Sequence, residues 1–366
     1  MSTKKDKFNK KDYYFMNLAI NLATKRNGLT GLNPSVGCVI VKNDEIVSFG
    51  ATNINGRPHA EAIALKNNRK NNKGATVYVT LEPCSHYGKT PPCTKALIKA
   101  KVKKVIYSID DKDSRSFKRS KKILISNKII TKSGLLKNQA NKIYKKYNFN
   151  KKNNFPYVTG KLASSYNLLI EKGNKYITNQ YSRMTSHQLR SKNQGLLTSY
   201  KTINADNPKL NCRINGLEKF SPIIIVIDKD LKIKLNTFIV KNSAKSKVLI
   251  FHNSNNLLKI KKLKKNGVKL IYFKTEETNY FDLKKIFKKI YKLGIHSVLV
   301  ESGSQLTRKL LSKSLFNEFY FFRSSKMLNK SQKISILDIK RKLDKKFKNK
   351  NFINTYLDKD TLMHYY

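Results

Sequence analysis

Two short stretches decide the fold of the first part of this chain: Pro58-His59-Ala60-Glu61 and Pro83-Cys84-Ser85-His86-Tyr87-Gly88-Lys89-Thr90-Pro91-Pro92-Cys93. His59, Cys84 and Cys93 are residue types that bind zinc, and a catalytic zinc site takes three protein ligands and keeps a fourth position open. A non-ligating glutamate beside a His/Cys/Cys set, here Glu61, is typical of zinc-dependent base deaminases. The pattern predicts one catalytic zinc ion per chain, with Glu61 as the residue that moves protons.

Each member of this set has a simpler explanation when it is taken alone. A single histidine at a helix start is usually structural, and a single cysteine is usually a buried apolar residue. Neither explanation accounts for the combination. The run Gly88-Lys89-Thr90 also resembles the end of a phosphate-binding P-loop, but Pro83 stands where that motif needs its first glycine. We therefore interpret the segment as a metal site.

The residues around the motif predict alternating strands and helices. Asp12 is placed to cap a helix that runs through residues 14–22, and residues 36–41 and 45–50 form a predicted hairpin. Helices are predicted to start at His59 (residues 60–66) and at Cys93 (to about residue 101), with strands at 76–80 and 102–109. Both ligand segments then lie at helix N-termini, whose partial positive charge favours a thiolate at Cys93.

Length and composition set broad limits on the protein. The chain has 366 residues, so two domains are expected. We interpret its net charge of +53 as compositional bias, because lysine is spread along the whole chain with abundant asparagine. A nucleic-acid surface is the alternative. No apolar run reaches the roughly 20 residues that a membrane span needs, and no secretory signal is visible. The four cysteines favour a reducing cytoplasm.

A polar, lysine-dense stretch from about residue 110 to 154 marks the predicted domain boundary. We expect a first domain over residues 1–150 and a second over residues 151–366. The second domain again has an alternating pattern, with predicted strands at 196–199, 223–227, 247–252, 269–273 and 297–300. No Gly-x-Gly-x-x-Gly fingerprint of a dinucleotide-binding fold occurs in it.

The motifs resemble a known family, the bifunctional deaminase–reductases of riboflavin biosynthesis. In the first domain the resemblance rests on residues 33–41 (Asn-Pro-Ser-Val-Gly-Cys-Val-Ile-Val), 58–61 and 84–93. The discriminating feature is the eight residues between Cys84 and Cys93, since related nucleoside and tRNA deaminases usually have two. The resemblance implies a cytidine-deaminase-like α/β/α domain, with Asn33, His86 and Thr90 in the substrate pocket. For Asn33, a turn before Pro34 is the alternative role.

The second half resembles the reductase domain of the same family. The similar segments are 156–165, 187–190, 196–213 and 298–306. The resemblance implies a dihydrofolate-reductase-like αβ domain that binds NADPH. Implied cofactor contacts are Ala163, Asn174, Tyr176, Thr202, Asp206 and Gly303, and implied substrate contacts are Arg190, Leu210, Arg213 and Glu301.

The chemistry of some of these residues also indicates a role, apart from the resemblance. Guanidinium groups match phosphate oxygens, which suits Arg190 and Arg213 to a substrate phosphate, with a surface ion pair as the alternative. Asp206 suits a hydroxyl contact, with a helix cap as the alternative. Gly303 would let the backbone approach a pyrophosphate closely.

Several residues depart from the family pattern. Ser165-Tyr166-Asn167-Leu168 replaces a usual Ser-Leu-Asp-Gly, and Ser302 replaces the first glycine of a usual Glu-Gly-Gly. Asp111-Lys112-Asp113-Ser114 replaces a usual Asp-Pro-Asn-Pro turn in the first domain. These departures touch loops and leave the predicted zinc ligands intact.

By resemblance we expect an enzyme that deaminates a phosphorylated pyrimidine and then reduces the ribose of the product with NADPH. We expect no membrane or nucleic-acid partner, and a homo-oligomer stays open. Two alternatives remain at this point: a deaminase with a degenerate reductase domain, and a nucleic-acid base deaminase.

Overall fold

The computed structural model describes residues 8–170, 176–329 and 333–366. The chain divides into two compact units that meet between Asn154 and Phe155. Residue 150, where the sequence placed the end of the first domain, lies inside the last helix of the first unit. No helix among the described residues combines the length and the apolar character needed to cross a membrane.

The first unit is an αβ domain built around a five-stranded sheet. Its strands are β1 (Gly37–Lys42), β2 (Glu45–Ala51), β3 (Thr76–Leu81), β4 (Lys104–Ile109) and β5 (Ile130–Ser133). Its helices are α1 (Lys10–Arg26), α2 (Ala60–Asn67), α3 (Cys93–Lys99), α4 (Arg119–Ser126), α5 (Lys137–Ile143) and α6 (Lys145–Asn153).

The sheet order is β2-β1-β3-β4-β5, and β3, β4 and β5 run parallel. The predicted hairpin is present, and Asn43 and Asp44 take the positive φ angles (50° and 63°) that a two-residue hairpin turn requires. One core contains the buried apolar side chains of β1, β3 and β4, among them Ile40, Val79 and Val105. Around it, α2 packs against β2 and α3 against α4. The parallel order brings the ends of β3 and β4 to the same edge of the sheet.

The start of α1 differs from the prediction. Asn9, not Asp12, is the N-cap: its side chain accepts a hydrogen bond from the Asp12 backbone N–H at 2.8 Å. The Asp12 side chain in turn accepts the Asn9 backbone N–H at 3.1 Å, so the two form a capping box and the helix begins at Lys10.

The polar segment after residue 110, in which the sequence placed the domain boundary, is folded as part of the first unit. It contains α4, β5, α5 and α6, because a few apolar side chains at suitable intervals are enough to pack it onto the core. Leu124, Ile129, Ala140 and Tyr144 are all at least 95% buried. Lysine density concealed this pattern, since lysines occupy the exposed positions between the buried ones.

The second unit contains a nine-stranded sheet and a two-stranded one. Its strands are β6 (Tyr157–Ser164), β7 (Leu169–Ile170), β8 (Gly195–Ser199), β9 (Ile223–Ile227), β10 (Val248–His252), β11 (Lys269–Tyr272), β12 (Ser297–Glu301), β13 (Glu318–Arg323), β14 (Ile334–Ser335), β15 (Lys350–Phe352) and β16 (Thr361–Tyr365). Its helices are α7 (Gln180–Ser191), α8 (Tyr200–Asp206), α9 (Phe238–Lys241), α10 (Leu257–Lys265), α11 (Leu283–Lys292), α12 (Ser304–Ser312) and α13 (Leu337–Lys346).

The large sheet has the order β11-β10-β9-β8-β12-β6-β13-β16-β15. Its first seven strands are parallel, and β16 and β15 add antiparallel pairs. Each of the five strands predicted in this half is present to within one residue at either end. Separate apolar clusters, centred on Phe287 and Ile250, cover the sheet. The carboxyl ends of β8, β12 and β6 therefore lie side by side.

Candidate deaminase and reductase sites

The three predicted zinc ligands are brought together by the first unit. His59 is the N-cap residue of α2, Cys84 lies in the loop after β3, and Cys93 is the first residue of α3. The Cys93 backbone N–H donates to the Cys84 sulfur at 3.2 Å, which fixes the two cysteine segments against each other. The expectation that the ligands lie at helix N-termini holds for His59 and Cys93.

The spacing of the ligand atoms fits a tetrahedral zinc ion. His59 Nδ1 lies 3.4 Å from Cys93 Sγ and 3.6 Å from Cys84 Sγ, and all three ligand atoms lie within 4.8 Å of one another. Zinc bonds of about 2.0–2.1 Å to nitrogen and about 2.3 Å to sulfur place tetrahedral neighbours about 3.6 Å apart. The donor set and its spacing thus match a zinc site with three protein ligands.

The two cysteines differ in their protonation. The Cys93 thiol hydrogen-bonds to Cys84 and, with help from His59 and against the effect of burial, lowers the pKa of the Cys84 thiol to about 4. The pKa of Cys93 itself is raised, first by its contact with the Cys84 thiolate and then by burial. The negative charge therefore sits on Cys84 in the metal-free chain, and binding a divalent cation must displace the proton on Cys93.

Glu61 is buried beside these ligands. It lies in the first turn of α2 and is 4% exposed. Burial, reinforced by the Cys84 thiolate and opposed by His59, raises the pKa of the Glu61 carboxyl to about 7. A carboxyl with this pKa can both accept and release a proton near neutral pH.

Other residues named from the sequence surround the same cavity, whose volume is ≈340 Å³. Asn33 and His86 line it together with His59, Glu61 and Cys84. Asn33 donates through Nδ2 to the Gly56 carbonyl at 2.8 Å, and His86 Nδ1 lies 2.8 Å from Ser116 Oγ. Thr90 does not line the cavity. Its hydroxyl accepts a hydrogen bond from Arg57, and Arg57 is one of the lining residues.

Five further residues that line the cavity were not predicted from the sequence. The loop of residues 111–118 and helix α6 supply Asp111, Asp113, Arg115, Tyr147 and Lys151 to it. The departure of residues 111–114 from the family's usual turn was a sequence feature that pointed to this loop. Nothing in the sequence marked Tyr147 and Lys151, because they lie in a lysine- and asparagine-rich run.

Glu82 holds this loop in place. Its carboxylate is 2% exposed and accepts backbone N–H groups from Asp111 (3.1 Å), Lys118 (3.0 Å) and Ser120 (3.1 Å). The residue precedes Pro83 and Cys84, so one side chain connects the zinc-ligand segment to the loop of residues 111–118, which also lines the cavity.

The second unit places Glu301 and Arg190 in direct contact. Arg190 forms a two-pronged ion pair with Glu301, at 2.7 Å from Nε to Oε1 and 3.0 Å from Nη2 to Oε2. Lys161 approaches the same carboxylate at 3.7 Å. Burial alone would raise the pKa of the Glu301 carboxyl, but the Arg190 and Lys161 charges outweigh it and lower the pKa to about 2.

The remaining residues predicted to contact the reductase substrate gather near this pair. Arg190 Nη1 donates to the Asn211 carbonyl at 3.1 Å, and exposed Arg213 donates to the Asn211 side chain at 3.0 Å. Leu210, 4% exposed, precedes Asn211 with a left-handed φ of 51°. Arg190 and Glu301, two of the three polar residues predicted to contact the reductase substrate, thus form an ion pair with each other. Arg190 would therefore bind a substrate while it is paired with Glu301.

The predicted cofactor contacts lie at neighbouring strand ends. Thr202, in the first turn of α8, accepts the Gly303 backbone N–H at 3.2 Å. Gly303 is exposed at the N-cap of α12, and a Cβ built on it would meet only Thr202 Oγ1, at 3.7 Å. A glycine at a helix N-terminus, beyond the carboxyl ends of parallel strands, suits a phosphate-bearing cofactor.

Other predicted contacts vary in their surroundings. Ala163 lies on β6, and Asp206 ends α8, so Asp206 is not a helix N-cap. Tyr176 is 67% exposed, with the Arg183 guanidinium 4.5 Å above its ring. Asn174 lies outside the described residues.

The residues that depart from the family pattern have defined structural roles. Asn167 donates to the Leu328 carbonyl at 2.8 Å and accepts the Leu328 N–H at 3.1 Å. Leu168 has φ 57°, the left-handed conformation that glycine adopts without strain and other residues resist. Ser302 is buried, with its hydroxyl 3.2 Å from that of Thr307.

Known proteins resemble the chain over almost its whole length. The family profile described as the cytidine and deoxycytidylate deaminase zinc-binding region matches residues 9–109, and that of the RibD C-terminal domain matches residues 166–352. The chain is 32% identical over 332 residues to the riboflavin biosynthesis protein RibD of Aquifex aeolicus, covering 90% of this chain and 91% of the relative. For RibD of Escherichia coli the identity is 32% over 331 residues, covering 87% and 88%.

Solved structures agree with these relatives. The structure of Acinetobacter baumannii RibD matches with a TM-score of 0.83 and 28% identity, covering 97% of this chain and 98% of that one. A Thermotoga maritima protein described as a diaminohydroxyphosphoribosylaminopyrimidine deaminase/5-amino-6-(5-phosphoribosylamino)uracil reductase matches with a TM-score of 0.81 and 26% identity over 97% of this chain and 98% of that one.

Proposed function

The chain belongs to the RibD family, the bifunctional deaminase–reductases of riboflavin biosynthesis, and from this premise we propose its substrates and the residues that act on them. The first unit hydrolyses the amino group of 2,5-diamino-6-ribosylamino-4(3H)-pyrimidinone 5′-phosphate. The second unit reduces the ribose of 5-amino-6-(5-phosphoribosylamino)uracil to a ribityl chain with NADPH. The deaminase and reductase activities named for the Thermotoga maritima relative support this choice.

The observation that carries the deaminase proposal is the burial of Glu61 beside a zinc-compatible ligand set. His59, Cys84 and Cys93 would hold the metal, which when bound would supply an acidified water at neutral pH. Glu61 is the residue that would take up a proton from the attacking water and deliver it to the leaving amine. Water is consumed, the ring carbon exchanges its amino group for oxygen, and ammonia leaves. Asn33 and His86 orient the pyrimidine from the cavity wall, and Thr90 acts through Arg57.

The reductase proposal assigns two sets of residues in the second unit. Ala163, Asn174, Tyr176, Thr202, Asp206 and Gly303 bind NADPH, which supplies the hydride. Arg190, Leu210, Arg213 and Glu301 bind the ribosylamino substrate. Glu301 is an ionised carboxylate at neutral pH and suits a hydrogen bond from a sugar hydroxyl.

We place the enzyme in the cytoplasm, in agreement with its cysteines. All four are free, and Cys38 and Cys212 are buried without a disulfide partner. The net charge of +53 plays no part in this proposal beyond attracting phosphorylated substrates.

Separate assays of the two half-reactions test the proposal. Glu61→Gln should keep about one zinc per chain and its NADPH oxidation, while ammonia release falls about 100- to 10,000-fold, because the proton acceptor is lost. Glu45→Gln, the same change at an exposed position, is the control. Near-normal ammonia release by Glu61→Gln would contradict the assigned proton transfer, and absence of NADPH oxidation with saturating intermediate would contradict the reductase.

A further inference from the structure

The loop that follows β13 in the second unit holds a neighbouring part of the chain at several points. Strands β13 and β6 are parallel neighbours, so the chain leaves both of them at the same edge of the sheet. We call residues 323–328 the β13 loop. It makes hydrogen bonds to residues 164–167, at the end of β6, and again to residue 177. Neither of the two residue sets proposed for the reductase includes a member of this loop.

Ser324 joins three parts of the chain through one buried residue. Its backbone N–H donates to the Ser164 carbonyl at 2.8 Å, and its hydroxyl donates to the Ile177 carbonyl at 2.9 Å. The same hydroxyl oxygen accepts the Lys326 backbone N–H at 3.2 Å. Ser324 is 1% exposed, so these bonds are shielded from water. The hydroxyl thus uses its single donor to fix the backbone at residue 177.

Arg323 holds the chain after β6 through Tyr166. Its Nε and Nη2 both donate to the Tyr166 carbonyl, at 2.8 and 2.6 Å, and its guanidinium carbon lies 4.2 Å from the centre of the Tyr166 ring. The Tyr166 backbone N–H donates in turn to the Lys326 carbonyl at 2.8 Å. Asn167 adds its two hydrogen bonds to the Leu328 backbone. A guanidinium that both stacks on a ring and bonds a carbonyl fixes orientation as well as distance.

The turn after β6 needs such support because of Leu168. This residue keeps a left-handed φ of 57° where the family usually has glycine, and a strained backbone of this kind persists only where its surroundings hold it. The Leu168 N–H donates to the Ser165 carbonyl at 3.1 Å, and its carbonyl accepts the Ile336 N–H at 3.0 Å. With residues 166 and 167 held by the β13 loop, the turn keeps its shape without glycine.

The contacts of the β13 loop lie next to two of the residues proposed to bind NADPH. Ala163 precedes Ser164 on β6, and Tyr176 precedes Ile177. The loop therefore holds the backbone one residue after each of them. A segment that is ordered before binding loses little conformational entropy when a ligand arrives, whereas a loose one loses affinity to its ordering.

We propose that Ser324 and Arg323 are positioning residues of the reductase, which together hold the chain on both sides of the cofactor-binding segment in the conformation that binds NADPH. Both act through the backbone of that segment. The pair of Arg190 and Glu301, proposed to bind the ribosylamino substrate, involves none of these contacts. The two residues therefore set the affinity for NADPH and leave the affinity for the pyrimidine substrate unchanged. This inference rests on the proposed NADPH-dependent reduction.

Titration with NADPH, followed by nicotinamide fluorescence, measures this affinity without turnover. We expect Ser324→Ala to raise the Kd of NADPH about tenfold, because the Ile177 carbonyl loses its donor, and Arg323→Gln to raise it about fivefold. The KM of NADPH should rise by the same factors. We expect kcat at saturating NADPH and the KM of the pyrimidine substrate to stay within about threefold of wild type, a split that a general loss of folding would not give.

A second measurement follows the segment itself. The chain has no tryptophan, so Tyr176→Trp places a single fluorescent reporter on it. Time-resolved anisotropy of this reporter measures motion on the nanosecond scale. Adding Ser324→Ala should lower the anisotropy of the free protein, and saturating NADPH should restore it. Equal anisotropy with and without Ser324→Ala would show that the serine does not hold the segment.

Matched controls separate positioning from stability. Ser243→Ala removes another buried serine of the same unit, whose hydroxyl donates to the backbone carbonyls of Val240, at 2.8 Å, and Asn266. Arg341→Gln removes an exposed arginine on α13. Both should leave the Kd of NADPH unchanged, while Ser243→Ala should lower the thermal stability about as much as Ser324→Ala does. If Ser324→Ala does not fold, Arg323→Gln still tests the proposal, because its side chain lies near the surface.

Three results would overturn the proposal: a Kd of NADPH within about twofold of wild type in both variants, equal losses for NADPH and for the pyrimidine substrate, or the same loss in the controls. Each leaves the proposed function standing as long as the wild-type enzyme oxidises NADPH with the deaminated intermediate. Failure of that wild-type reaction would instead overturn the proposed reductase function itself.

Discussion

The carboxylate of Glu82 offers the sharpest test of how the deaminase cavity is built, because its removal should loosen one loop and leave the zinc ligands in place. We consider Glu82→Gln, which keeps the size of the side chain and replaces one acceptor oxygen by an NH₂ group. In the wild type the two carboxylate oxygens accept three backbone N–H groups at 3.0–3.1 Å, from residues 111, 118 and 120.

The magnitude follows from these contacts. The remaining oxygen of glutamine can keep the two N–H groups that Oε2 accepts, but the NH₂ group then faces the Ser120 N–H. One buried donor is left unpaired at a cost of about 1–3 kcal/mol, and the other two bonds lose their charged acceptor. We expect the deaminase unit to lose about 2–4 kcal/mol of unfolding free energy, or roughly 5–15 °C in Tm.

Zinc release during thermal unfolding, followed with a chromogenic chelator, reports on this unit alone. NADPH oxidation reports on the other unit and should be unaffected. The Glu82→Gln enzyme should also show a raised KM in the deamination assay, because the loop that Glu82 holds lines the cavity. Glu45→Gln, the same substitution on the exposed face of β2, should shift the midpoint by less than about 0.5 kcal/mol. If Glu82→Gln and Glu45→Gln release zinc at the same temperature, the loop does not depend on Glu82 and the reasoning is wrong.

Two further predictions concern stability. The pKa of Glu301 is lowered in the fold, so the pair with Arg190 stabilises the protein above about pH 4.5 and loses its effect as the pH falls toward 2. Glu301→Gln should therefore lower the free energy of unfolding, measured with urea at pH 7, by about 3 kcal/mol. The difference in unfolding free energy between wild type and variant should decrease by about 2 kcal/mol between pH 5 and pH 3. A difference that does not change with pH would contradict the assigned pair. Gly37→Ala should destabilise the deaminase unit by more than about 3 kcal/mol, because the new Cβ would lie 1.9 Å from the Ala19 carbonyl oxygen and force α1 away from β1. If the variant released zinc at the same temperature as the wild type, α1 would be able to move without cost and the prediction would be wrong.

Local patterns were sufficient for much of the fold. Strands β1–β4 and β8–β12 could be placed from short apolar runs rich in β-branched residues, because such runs report burial on their own, whereas β5, β7 and β13–β16 were not predicted. Predictions from the sequence failed where two side chains could take the same structural role, or where a lysine-rich composition hid the spacing of the apolar residues. Asp12 is a good N-cap residue, but Asn9 three residues earlier takes that position and Asp12 completes the capping box. The helices α4–α6 and strand β5 after residue 110 were not predicted, because exposed lysines outnumber the few side chains that pack.

The sequence by itself determined the metal chemistry of this protein. His59, Glu61, Cys84 and Cys93 could be assigned from residue type and spacing, since zinc accepts few donor sets and the long cysteine interval is distinctive. Only the tertiary structure decided what faces that centre. Lys151 reaches Asp113 across 38 residues, and Arg190 reaches Glu301 across 111. Contacts at such separations depend on how helices and loops pack against a sheet, and one lysine among many carries no sign of its partner until the chain has folded.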